Sequence, residues 1–151
     1  MENKVFSIDR KKYLLDSIGI ENLSSIYKKT CEYLMEKINV PKDCIGIDVP
    51  LSMYGFDSDE KIDIVVYKIS DDYKVKGGVI SPIVCVKCIP EGTEITEEMF
   101  NQYYWVNNDI ISKYLFISNG DKVEVSKFWV EYEAYVWMTG VEPYEEMDFC
   151  F

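Results

Sequence analysis

An α/β domain, one central sheet flanked by helices, is the architecture this sequence predicts, and three observations predict it. The chain has 151 residues, 48% hydrophobic and 28% charged, the profile of a single domain with a core of its own. Apolar residues switch between helical and strand spacing along the chain, in the order α-α-β-β-β-α-β-β. The most continuously apolar run, residues 79–89, has the character of a strand covered on both faces, and hence of a central one.

The elements follow in order. Residues 9–18 read as a short helix opened by Asp9 and closed by Gly19, within a helical extension at 1–20. Over residues 21–38, Leu23, Ile26, Tyr27, Cys31, Leu34, Met35 and Ile38 recur at three/four spacing, an amphipathic helix that Pro41 stops by breaking the hydrogen-bond ladder. Residues 44–53 alternate Ile45, Ile47, Val49 and Leu51 with Gly46, Asp48, Pro50 and Ser52, a half-buried strand that Pro50 assigns to a sheet edge. Strands at 62–69 and 79–89 flank a turn at 71–78 that ends in Gly77 and Gly78. Thr96 is a suitable N-cap for a helix over 97–107, with Glu97 and Glu98 where the helix dipole favours acid. Strands at 114–118 and 123–130 enclose the turn Asn119-Gly-Asp121. The acidic, aromatic tail from Glu131 to residue 151 has no assigned element.

Composition removes several chemistries. The chain has no histidine, which excludes Ser-His-Asp and Cys-His catalysis and most zinc enzymes. Of the five cysteines, Cys31, Cys44, Cys85, Cys88 and Cys150, two form Cys85-Val-Lys-Cys88. That spacing is read in half zinc sites and redox pairs. On a strand, however, residues three apart point to opposite faces, so two core thiols that bind no zinc and form no mutual disulfide are expected. No apolar run approaches the roughly 20 residues of a membrane span, and the N-terminal residues lack the apolar core of a signal peptide, so a cytoplasmic location is expected. The net charge is −11, and it is uneven: residues 1–80 hold 12 basic and 14 acidic side chains, residues 81–151 hold 4 and 13. Such a balance opposes contact with nucleic acid at long range.

Two charged residues interrupt apolar strands. Asp63 lies in Lys61-Ile-Asp-Ile-Val-Val-Tyr67 and Lys87 in Ile83-Val-Cys-Val-Lys-Cys88. Each has an ordinary reading, a strand-end acid paired with a lysine or water and a strand-end lysine reaching solvent. Together, followed by a helix, they suggest a site. Phosphodiester hydrolysis needs charge stabilisation and an activated water, which carboxylates holding magnesium and a nearby lysine supply.

Several stretches carry a family resemblance: Val40-Pro-Lys-Asp-Cys-Ile45, the Asp63 strand, Ile83-Val-Cys-Val-Lys-Cys-Ile-Pro90, Glu94-Ile-Thr-Glu-Glu-Met-Phe-Asn-Gln102, Lys113-Tyr-Leu-Phe-Ile-Ser-Asn-Gly120 and, faintly, Val141-Glu-Pro-Tyr144. In order and spacing they resemble the N-terminal nuclease domain of type I restriction enzyme R subunits. The resemblance, which covers residues about 32–144, implies a PD-(D/E)xK, restriction-endonuclease-like fold with a mixed central sheet, and residues 1–151 are read as one such domain. It also implies Asp63 as a metal-binding acid and Lys87 and Gln102 as catalytic partners, with magnesium as cofactor if the domain is active and none otherwise. Two positions depart from the pattern. Cys85 stands where the second carboxylate belongs, and Val106 where the family often has a tyrosine. Glu98, one helical turn before Gln102, is a candidate replacement carboxylate. Three functions follow: a degenerate domain that binds DNA or a restriction-system protein without cutting; an active magnesium-dependent DNA endonuclease using Asp63, Glu98 and Lys87; or an acidic DNA mimic.

Overall fold

The computed structural model describes residues 11–54, 59–68, 82–103 and 112–149. Six strands form one sheet in sequence order: β1 (Ile45–Pro50), β2 (Lys61–Tyr67), β3 (Pro82–Cys88), β4 (Tyr114–Ser118), β5 (Val123–Trp129) and β6 (Ala134–Met138). Neighbours run antiparallel except β3 and β4, which are parallel. A parallel pair cannot be closed by a tight hairpin. The chain between them accordingly carries a helix, α3 (Glu97–Gln102). The sheet is therefore mixed, as expected, and its long apolar strand is internal.

A side-chain period of two gives the sheet two buried faces. One core gathers Val65, Tyr67, Cys85, Leu115 and Ile117 beneath Phe100 of α3. The other gathers Ile64, Val66, Val84, Val86 and Phe116 beneath Cys31 and Leu34 of α2 (Ser25–Lys37). Each fully buried aliphatic or phenyl side chain contributes roughly 1.5–3 kcal/mol. Buried polar groups are paired: the Thr30 and Ser118 hydroxyls, 2.6 Å apart, tie α2 to β4.

Boundaries differ from the sequence reading in instructive ways. Of the expected helix at 9–18, residues 9 and 10 lie outside the described residues, Lys11 is helical, residues 12–14 are not, and α1 (Leu15–Ile18) follows, closed by Gly19 at φ 88°. Before it, Leu14 bridges Gly46, and the Ile47 amide donates to the Tyr13 carbonyl at 2.7 Å. Residues 13 and 14 thus cover the outer edge of β1. Helix α2 begins at Ser25 rather than 21 and ends at Lys37, well before Pro41; beyond its cap Ile38, Asn39 turns left-handed at φ 64°. Thr96 precedes α3 in extended conformation but makes no side-chain capping bond. The strands read at 62–69 and 79–89 and the helix read to residue 107 are described only as β2, β3 and α3; their remaining positions lie largely outside the described residues.

Over its described residues, 131–149, the unassigned tail forms structure. Residues 134–138 pair with β5 as the sixth strand. At its outer edge the side-chain amide of Asn101 on α3 donates to the Tyr135 carbonyl (3.4 Å) and accepts from the Tyr135 amide (3.3 Å). Beyond it the chain returns across the α2 side. The Tyr144 amide donates to the Ile38 carbonyl and its hydroxyl to the Tyr67 carbonyl, both at 2.8 Å. Met147 is buried, and Lys113 pairs with Asp148 at 2.8 Å.

The β5–β6 turn ends in Glu133 at φ 49°, a left-handed conformation that penalises a side chain. Glu133→Gly removes that penalty, and we expect it to raise unfolding free energy by up to about 1 kcal/mol in urea titration. A loss of stability would mean that the glutamate side chain itself holds the turn.

Candidate functional site

The ladder between β2 and β3 runs through Val66–Val84, Val65–Cys85 and Ile64–Val86. Continued by one step, it places Asp63 opposite Lys87. The two side chains meet, with Lys87 Nζ 3.7 Å from Asp63 Oδ2. The same oxygen accepts the Cys88 amide at 2.8 Å. Asp63 is nearly buried, its side chain 11% exposed, whereas that of Lys87 is 39% exposed. The acid is thus fixed from inside the sheet and the lysine reaches outward. A pocket of about 30 Å³ opens here, lined by Lys61, Ile62, Asp63, Cys85, Val86, Lys87, Tyr103 and Leu115. That is room for one or two waters.

Tyr103 is what α3 delivers to this pocket. Lys87 Nζ lies 5.3 Å from the centre of its ring, within cation–π range. Glu98 and Gln102 are both exposed on α3 and are not among the pocket's lining residues. Val106 lies outside the described residues.

Cys85 lines the pocket from its apolar side. Burial pushes its thiol from the ordinary 9.0 up to about 12, against a lowering contribution from the Ser112 hydroxyl. Cys88, on the opposite face, is also pushed up to about 12, by burial first and by the Asp63 carboxylate second. Cys85 belongs to the core under α3 and Cys88 packs against the core under α2. The two sulfurs therefore diverge across the sheet, as strand geometry requires.

Asp48, not singled out from sequence as a site residue, lies beside this pair. In the β1–β2 register Ile47 faces Ile64 and Val49 faces Ile62, which puts Asp48 across from Asp63. Its backbone is left-handed, φ 49°. Its Oδ1 accepts the Tyr27 hydroxyl at 2.8 Å and lies 2.8 Å from Lys61 Nζ. Tyr27 is held strongly in its neutral form by burial, then by the nearby Asp63 carboxylate and by its bond to Asp48. The sequence signal was present, an acid inside an alternating strand, but only cross-strand register assigns it a neighbour.

This donor set does not fit magnesium. The ion prefers several hard oxygen ligands. Here Cys85 presents a neutral thiol to the pocket, and the Asp63 oxygen is already shared between an amide and an ammonium group. Among the described residues no group of three or more Cys, Asp or Glu side chains is gathered to hold a metal ion. The arrangement can orient water and present one cation to an anionic group.

A mixed-sheet α/β domain carrying an acid–lysine pair across adjacent strands is the class that fold and site define. Residues 24–141 match the family described as type I restriction enzyme R protein N terminus, and the chain belongs to that family. Searches of curated proteins and of solved structures found no significant match. No helix among the described residues is long and apolar enough to cross a membrane.

Two outcomes follow. Asp63→Ala leaves the Cys88 amide without its acceptor and Lys87 without its acid. We expect a loss of about 1–3 kcal/mol in urea unfolding, and an unchanged midpoint would show that water replaces both bonds. The pH dependence has a definite sign. Folded thiols at Cys31, Cys85 and Cys88 keep their protons up to about 12, whereas the unfolded thiols release them near 9.0. Their contribution is full below pH 9 and falls as pH rises from there toward 12. Urea midpoints measured on either side of pH 9 should drop on the alkaline side, and less so in a Cys85→Ala variant.

Proposed function

We propose that this chain is a nuclease-like domain of a restriction system that works by binding and does not cut DNA. One observation supports the reading: Cys85, at the position where the family resemblance would put a second carboxylate, is buried in the pocket it shares with Asp63 and Lys87, with its thiol pushed up to about 12. A thiol protonated at neutral pH supplies neither the charge nor the hard oxygen that metal-assisted phosphodiester hydrolysis requires. The net charge of −11 adds to this by opposing approach of the phosphate backbone. What persists of the site, a buried acid that holds a lysine toward solvent, is a recognition feature. Restriction enzymes act on DNA as assemblies, so the partners in view are DNA or another protein of the system.

The test is direct. With magnesium or manganese, we expect no cleavage of duplex DNA above background, and we expect EDTA to leave the melting temperature unchanged. Cys85→Glu should tighten magnesium binding, measured by calorimetry, with Asp63→Ala in the same background removing the gain. Cleavage by the unmodified chain that Asp63→Ala abolishes would overturn the proposal. Glu98→Ala would then decide whether the carboxylate has moved to α3.

A further inference from the structure

Among the described residues, the large apolar side chains left exposed all lie on the β5–β6 hairpin: Trp129 (40%), Val130 (54%), Tyr132 (70%) and Trp137 (38%). The first three form its tip. The Trp129 and Tyr132 rings lie 6.0 Å apart at 31°. The turn beneath them is held by two backbone bonds, Tyr132 amide to Trp129 carbonyl (3.1 Å) and Glu133 amide to Val130 carbonyl (3.2 Å). Glu131 and Glu133 stand exposed between the apolar side chains. From Phe128 to Phe151 the chain contains six acidic residues and neither lysine nor arginine. Trp137 is separate. It lies on the other face of the hairpin, 6.1 Å from Phe100, with its indole N–H donating to Glu124 Oε2 at 2.9 Å.

We propose that the hairpin tip is a docking surface for a basic protein partner, one whose lysines and arginines ring an apolar recess. Rigid aromatic groups offer large contact area at small entropic cost and dominate protein interfaces. The interleaved carboxylates select the sign of the partner. They repel nucleic acid and anionic lipid. A second copy would set the same carboxylates against each other across a twofold axis. Strand addition at β6 is obstructed because Asn101 already occupies the outward backbone groups of Tyr135. A cationic polypeptide is the occupant that satisfies both the rings and the acids. This deepens the non-cutting reading and rests on it only in assigning the domain a binding role.

The experiment uses the full chain and a fluorescently labelled synthetic peptide of alternating leucine and lysine, followed by anisotropy. We expect saturable binding that weakens with salt. The double variant Trp129→Ser/Tyr132→Ser should weaken it roughly tenfold or more. The double variant Glu131→Lys/Glu133→Lys should abolish it, and Trp137→Phe should leave it unchanged. The two double variants alter different groups at one exposed turn, so if one fails to fold the other still decides. No saturable binding by the unmodified chain, or equal affinity in a folded double variant, overturns the proposal. So does self-association in sedimentation that is lost with Trp129 and Tyr132, or binding of duplex DNA or anionic vesicles through the tip. The non-cutting reading fails separately, by DNA cleavage without peptide.

Discussion

Everything in this molecule hangs on the burial of β3 on both faces. A strand inside the sheet has no solvent side, so its odd and even residues must satisfy two different cores at once. Cys85 and Lys87 belong to one face and Val84 and Val86 to the other. The charge of Lys87 is tolerable only where the strand nears its end, with Asp63 opposite and solvent within reach of the ammonium. At Cys85, one step deeper, the same face is sealed by Leu115 and the packing under α3. A carboxylate there would need compensation from a metal or a second cation; a thiol needs none. A thiol is thus compatible with the packing at this position.

The lysine–acid pair also has a structural duty of its own. Asp63 holds the end of the sheet as well as any ligand, because its carboxylate accepts the Cys88 amide. The presence of these two residues in the sheet is therefore accounted for by stability as much as by any chemistry they do.

Much of this was legible in the sequence. Alternation in the first strand and apolar runs bounded by turn residues in the others marked five of the six strands, and the charged interruptions at Asp63 and Lys87 pointed to a site. What escaped was non-local. The sixth strand, Ala134-Tyr-Val-Trp-Met138, has little polar alternation and lies in an acidic stretch, so its identity depends on β5 offering it an edge. Asp48 and Tyr103 reach the site through register and through the turn after α3, neither of which spacing along the chain encodes. The expected helix at 9–18 is interrupted at residues 12–14 because residues 13 and 14 bond to β1 instead, tertiary contact overriding local preference.

Both lateral borders of the sheet are blunted. At β1 the Tyr13 carbonyl takes the Ile47 amide and Pro50 withholds a donor; at β6 the Asn101 amide answers Tyr135 on both sides. Backbone recognition is indifferent to sequence, since every strand offers the same amides and carbonyls. Closing it leaves side chains as the currency of any encounter. A protein so finished is discriminating by construction: neighbours in a crowded cell can be told apart only by shape and charge, and a newly made chain, nearly half hydrophobic, is kept from templating its own kind.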